Sequence, residues 1–259
     1  MSEIKVITSK DNPLIKLVCG LQTSSKTRKK EGLFVLEGLR ICDDAMSNSI
    51  RFDKLIISKT AKEKYDFELS SFIKNADEVF EIPDSLFSKI SDTSSPQGVI
   101  AVVKVPTLSP EISKNGRYIA LENLNDPSNL GAISRTAEAL GVSGIILSSD
   151  SVDPYSPKSL RASMGTLLRM PVIILNDFVN DLKNSGLKTY ACVVDKTAKS
   201  ITNVDFLDGS ILIIGNEANG LTDEMKANSN EQITIKMCGK AESLNAATAA
   251  AISMWEMMK

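Results

Sequence analysis

"LENLNDPSNLGAISRTAEALG" occupies residues 121–141 of a 259-residue chain, and how it is read decides the fold. An apolar approach ends in Asn, Asp, Pro and Ser, after which Leu130, Ile133, Ala137 and Leu140 recur at helical spacing. A strand therefore hands over to a helix at 123–129. Arg135 lies two residues from Ile133 and points away from the apolar stripe. Taken alone, it reads as a surface arginine pairing with Glu138, and Asn129 as a helix cap beside a proline turn.

The flanking sequence repeats the pattern. "RYIALEN" (117–123), "GVSGIILSS" (141–149), "PVIIL" (171–175), "KTYACVVD" (188–195), "GSILIIG" (209–215) and "EQITIKM" (231–237) read as strands. Helices are expected at 129–140, 156–170, 177–186 and 243–258. Runs this apolar suit a sheet covered by helices on both faces. Upstream, helical spacing over 12–22 and strands at 33–38, 52–58, 78–83 and 97–105 predict a smaller α/β unit over 1–105. The Pro-, Ser- and Gly-containing stretch 106–116 is the linker, and 117–259 forms the second domain.

Composition removes several kinds of chemistry. The chain has no histidine, so the commonest general base and every Ser-His or Cys-His nucleophile are absent. The four cysteines are far apart and form no CxxC pair, so they read as small buried hydrophobes, and no metal site is expected. No apolar run reaches the roughly 20 residues of a membrane span, and the first ten residues lack a secretory core, so a cytoplasmic protein is expected. Lys+Arg number 30 against 32 Asp+Glu, which argues against indiscriminate coating of nucleic acid. Yet residues 1–30 carry seven basic side chains against two acidic ones. This run reads as a solvated face unless other parts of the chain point to RNA.

Two further stretches stand out. In "ILIIGNEANGL" (211–221) a buried strand ends at Gly215, and Asn216 and Glu217 follow at once. It is not a GxGxxG fingerprint, so a dinucleotide-binding dehydrogenase is a poor reading. In "ITIKMCGKAESLNAATAAAISMWEMMK" (233–259) a strand runs into a Gly-containing loop, and Ser243, as N-cap, with Asn245 opens an Ala-rich helix. Met254, Trp255, Met257 and Met258 give that helix an apolar end, as for a covered surface.

In this order, DPSNLGAISRTAEALG, IIGNEANGL and ESLNAATAAA closely resemble the three motifs of the SpoU (TrmH-type) RNA 2′-O-ribose methyltransferases of the SPOUT superfamily. The first unit, through "ITSKDNPLIK", "FVLEGLRICDDA" and "SSPQGVIAVV", is more weakly similar to the L30e-like substrate-binding domain of that family. The resemblance implies an α/β chain with a trefoil-knotted methyltransferase domain behind a small L30e-like domain. It also implies S-adenosylmethionine as cofactor, RNA as substrate and a homodimer. Gly215, Ile235 and Leu244 would contact the cofactor, with Arg135 the matched catalytic arginine and Asn129, Glu217, Ser243 and Asn245 completing the site. One departure is Lys236, where the family usually has proline.

Methyl transfer to a ribose 2′-oxygen needs alignment, exclusion of water and removal of one proton. Arginine is a poor base, with a pKa above about 12, so Arg135 is read as a hydrogen-bonding and phosphate-positioning group. Glu217, or a water it orients, is the alternative acceptor. With RNA motivated, Lys10, Lys16, Lys26, Arg28, Lys29 and Lys30 become candidates to grip its phosphates. Ribosomal RNA is expected ahead of tRNA, and a non-catalytic RNA-binding or ribosome-assembly protein is the competing reading.

Overall fold

The computed structural model describes residues 3–106 and 111–259, so positions 107–110 of the expected linker lie outside the described residues. Packing divides the chain into two units, Met1–Thr107 with Tyr155–Arg161, and Leu108–Pro154 with Ala162–Lys259.

The first unit runs β1 (Ile4–Val6), α1 (Pro13–Thr23), α2 (Ser25–Glu31), β2 (Leu33–Glu37), α3 (Leu39–Ser47), β3 (Phe52–Ser58), α4 (Lys59–Lys64), α5 (Asp66–Asn75), β4 (Ala76–Ile82), α6 (Asp84–Ile90) and β5 (Val99–Lys104). Its sheet has the order β1-β4-β3-β5-β2, with β5 antiparallel to both neighbours. Asn12 caps α1 and Pro13 opens it, which lets Leu14, Ile15, Val18 and Leu21 turn one face into the core. The seven-residue α2 has no apolar stripe and carries the basic run between a Ser24 cap and a left-handed Gly32.

Arg28 corrects the sequence reading. It is 5% exposed, and its guanidinium donates to the carbonyls of Leu21 and Gln22 at the end of α1. It ties α2 to α1 and is closed to a phosphate. Lys10, Lys16, Lys26, Lys29 and Lys30 are exposed. The segment Tyr155–Arg161 completes this unit, with Tyr155 stacked on Phe34 at 5.0 Å and Arg161 paired with Asp92 at 2.6 Å.

The second unit runs β6 (Arg117–Leu121), α7 (Pro127–Leu140), β7 (Gly144–Ser148), α8 (Pro157–Ala162, its last residue alone in this unit), α9 (Thr166–Arg169), β8 (Val172–Leu175), α10 (Phe178–Asn184), β9 (Lys188–Cys192), β10 (Lys199–Ser200), β11 (Ser210–Ile214), α11 (Asp223–Asn228), β12 (Glu231–Thr234) and α12 (Ala246–Met258). All seven strands are parallel, in the order β10-β12-β9-β11-β6-β7-β8. Every residue of β7 and β11 is buried, whereas the edge strand β8, and β12 beside the two-residue β10, keep partly exposed residues.

The single helix expected over 156–170 is two short ones, because Met164 and Gly165 take positive φ of 50° and 84° and break it. The very short β1 and β10 are too brief for a periodicity to register. Met254 and Met257, expected on a covered surface, are core residues of their own unit, whereas Ile252 and Trp255 are exposed. Cys42 is buried, but Cys238 is exposed, unlike the buried hydrophobe expected.

Candidate functional site

Parallel sheets receive ligands beyond the carboxyl ends of their strands, where adjacent strands send the chain to opposite sides. Here that point lies between β6 and β11: β6 leads through α7 to β7 on one side, and β11 through α11 toward β12 on the other. The loops that leave these two strands carry the first two motifs.

After β6 the chain turns sharply, with Asn123 at φ 51°. Its N–H donates to Ser148 Oγ at 2.8 Å, and its carbonyl accepts from Asn216 Nδ2 at 2.8 Å. Asp126, not Asn129, caps α7 by accepting from the Ser128 N–H at 2.8 Å. Asn129 therefore sits inside the first turn, buried, with its amide free for tertiary use.

After β11 the chain doubles back on itself. A Cβ at Gly215 would stand 2.2 Å from the Gly220 carbonyl carbon, so only glycine fits there. Asn216 and Gly220 exchange backbone bonds of 3.0 and 2.9 Å, while Asn216 Oδ1 accepts from the N–H groups of Ala218 and Asn219.

Glu217 joins the two loops. Its Oε1 accepts from Asn129 Nδ2 at 2.9 Å and the Asp126 N–H at 3.0 Å, and its Oε2 accepts from the Asn125 N–H at 3.2 Å. Burial by itself would raise the carboxyl's pKa, but the Asn129 amide and the backbone N–H groups of Glu217 itself, Asn125 and Asp126 outweigh it and hold the group below its ordinary value. Asn245 Nδ2 then donates to Asn129 Oδ1 at 3.0 Å. The chain Glu217–Asn129–Asn245 thus links all three motifs.

Asn245, not Ser243, caps α12, accepting from the Ala247 and Thr248 N–H groups. The helix starts at Ala246, and Ser243 is left exposed in the preceding loop. Ser243 lines a cavity of about 560 Å³, together with Gly215, Glu217, Ile235 and Leu244. Lys236 is exposed between Ile235 and Met237, both on the cavity wall. Cys192, also on the wall, has its thiol pushed up by burial, which disfavours the thiolate.

Arg135 is exposed on α7 without a hydrogen-bond or ion-pair partner among the described residues. The expected pairing with Glu138 does not form. Arg169 takes that carboxylate with two bonds of 2.6 and 2.8 Å, and Thr166 Oγ1 donates to it at 3.0 Å.

The sequence marks Asn216 as a polar residue at the strand end but not as a cross-loop anchor, and it gives no prominence to the pair Glu122 and Thr222. A carboxylate closing an otherwise apolar strand was the available signal for Glu122. Nothing local pairs it with a threonine a hundred residues away. Among the described residues no cluster of His, Cys, Asp and Glu has the geometry of a metal site, and no helix is long and apolar enough to cross a membrane.

Comparison with known proteins separates the same two stretches, apart from the segment Tyr155–Arg161. Residues 116–255 match the SpoU rRNA Methylase family and residues 12–101 the MRM3-like substrate binding domain. An uncharacterized tRNA/rRNA methyltransferase of Synechocystis sp. is 32% identical, over 98% of this chain and 94% of its own. The 23S rRNA (guanosine(2553)-2′-O)-methyltransferase RlmP of Bacillus subtilis is 26% identical, over 98% and 99%. Among solved structures, an AdoMet-bound rRNA methyltransferase from Sinorhizobium meliloti superposes with a TM-score of 0.83 at 28% identity, covering 98% of this chain and 97% of that one.

Proposed function

This chain belongs to the SpoU rRNA Methylase family, and from that premise we propose that it transfers the methyl group of S-adenosylmethionine to a ribose 2′-hydroxyl of ribosomal RNA. The observation that carries the reading is the Glu217–Asn129–Asn245 chain at the strand ends, beside the cavity. The rRNA preference rests on the relatives named as rRNA 2′-O-methyltransferases and on the match of residues 12–101 to a substrate-binding domain. Ribosomal RNA also sets the place of work, the cytoplasm.

The cavity fits the cofactor. Its volume suits a ligand of that size, and its walls combine the apolar Ile214, Ile235, Leu244 and Met237 with the loop Gly215–Leu221. Gly215, Ile235 and Leu244 would hold the cofactor, which when bound supplies an activated methyl group. The protein's own task is then alignment and exclusion of water.

Arg135, exposed and unpaired, is available to a phosphate or to the ribose oxygen. Glu217 has both oxygens occupied by N–H donors and a lowered pKa, which makes it a weak base near neutral pH. We therefore assign Glu217 to bracing Asn129 and not to accepting the proton. Asn129, Ser243 and Asn245 set the edge of the site, and water is left to take the proton.

Several family traits join the proposal. The insertion of β11 between β6 and β9, with α12 packed back against α7, β11 and β6, supports a trefoil knot. The mixed sheet of the first unit supports an L30e-like domain over 1–105, with 106–116 as the connection. Ile252 and Trp255, 38% and 57% exposed on α12, support a homodimer. Exposed Lys10, Lys16, Lys26, Lys29 and Lys30 support phosphate contact by the first unit.

The test is incubation of the purified protein with labelled S-adenosylmethionine and separate pools of unmodified rRNA and tRNA, with label mapped by resistance to alkaline cleavage. Label at an alkali-resistant linkage in rRNA is the expected result. Label in tRNA alone overturns the substrate, and cofactor binding without transfer to naked RNA or to partly assembled ribosomal particles overturns the enzyme.

A further inference from the structure

Glu122 is 6% exposed and has no ion pair among the described residues, yet a buried carboxylate without a cation is costly unless its hydrogen bonds are well made. Both of its bonds go to one residue. Oε1 accepts from Thr222 Oγ1 at 2.6 Å and Oε2 from the Thr222 N–H at 2.8 Å. Thr222 in turn caps α11, its Oγ1 accepting from the Met225 N–H at 3.1 Å. The hydroxyl proton is thereby committed to Glu122.

Thr222 follows directly on the loop Gly215–Leu221, every residue of which lines the cavity. That loop is held at its start by Asn216 on the Asn123 carbonyl and in its middle by Glu217. Glu122 supplies the third fixing point, at the end. An apolar residue at 122 would fill the space but leave the Thr222 N–H and hydroxyl without acceptors.

We propose that Glu122 is a positioning residue for cofactor binding, its two-bond grip on Thr222 setting the shape of the Gly215–Leu221 wall. This rests on the reading of the cavity as the S-adenosylmethionine site. The grip acts through the loop, since neither Glu122 nor Thr222 lines the cavity.

The test is calorimetric titration of S-adenosylmethionine into the full chain and into Glu122→Gln, Thr222→Val, Thr222→Ser and the double variant that combines Glu122→Gln with Thr222→Val, well below each melting temperature. Glu122→Gln sets an amide N–H against Thr222, and the Kd rises about tenfold, the size of one bond to a charged group. Thr222→Val behaves alike, Thr222→Ser stays within about twofold of the parent, and the double variant is no weaker than the worse single one, as for two ends of one contact. With saturating cofactor, kcat falls far less than affinity does.

An unchanged Kd in Glu122→Gln with only a lower melting temperature overturns the proposal. So does Thr222→Ser binding as weakly as Thr222→Val, a comparison that decides alone if Glu122→Gln does not fold. Failure of the unsubstituted chain to bind S-adenosylmethionine is a different result, which removes the cavity assignment itself.

Discussion

Replacing Glu217 by Gln separates a brace from a base. The carboxylate accepts three bonds, from Asn129 Nδ2 and from the N–H groups of Asn125 and Asp126. Glutamine keeps one acceptor oxygen and turns an N–H toward a donor. A bond to a charged acceptor contributes about 1.5–3 kcal/mol when buried, less when exposed as here, so the net loss is about 1–2 kcal/mol. At this chain length each kcal/mol lowers the melting temperature by about 2–4 °C. Where the new amide N–H faces Asn129, that side chain loses its anchor, and misplacement at the proposed site costs on the order of 10–100-fold in kcat/KM.

The pH dependence follows from the lowered pKa. Glu217 stabilises the folded chain fully above its unfolded value of 4.5, and that contribution disappears as the pH falls through the lower folded value. Glu217→Gln therefore melts lower than the parent at neutral pH, and the gap closes in acid. The assay is a melting series from neutral to acid pH beside single-turnover methylation across pH. If Glu217 is the proton acceptor, the substitution instead costs on the order of 10²–10⁴-fold and abolishes the acid limb of the rate profile. That outcome, or a variant that melts and turns over like the parent, refutes the bracing role.

Arg135→Ala, at an exposed and unpartnered position, leaves the stability within about 0.5 kcal/mol of the parent but cuts single-turnover methylation on the order of 100-fold. An equal loss in cofactor affinity, read by calorimetry, would count against its assignment. Alanine at Lys26 and Lys29 together weakens RNA binding and flattens its salt dependence by about two units of slope without altering stability. Arg28→Ala destabilises the chain by about 1–3 kcal/mol, because two carbonyls lose a charged donor, and a melting curve beside a salt titration distinguishes the two cases. Finally, burial pushes the Cys42 thiol up to about 12, so alkylation at mild pH labels exposed Cys238 and leaves Cys42 untouched until the chain unfolds.

Strands inside the sheet were legible where both of their faces are covered, so "GIILS" and "SILII" are nearly unbroken apolar runs. Helix ends were less so. Asn129 and Ser243 both have the chemistry of a cap, but Asp126 and Asn245 take that role, since capping depends on where the chain bends and not only on which residue can bond. Arg28 sits in a run of four consecutive charges and looks like its neighbours. Only the packing of α2 on α1 turns it inward. The candidate site residues were picked out through ordered motifs, but their mutual contacts were not legible. The bond from Asn245 to Asn129 spans 116 residues, and no periodicity records such a distance.

The segment Tyr155–Arg161 belongs by packing to the first unit although it lies within the stretch that matches the methylase family. Cutting the chain once, within 106–116, would strip the Phe34 ring and the Asp92 carboxylate of the partners that cover them. A gene fusion that replaced the leading unit would have to carry this short segment as a second insert. An exchange of the leading unit therefore calls for compensating changes at residues 155–161, inside the following stretch.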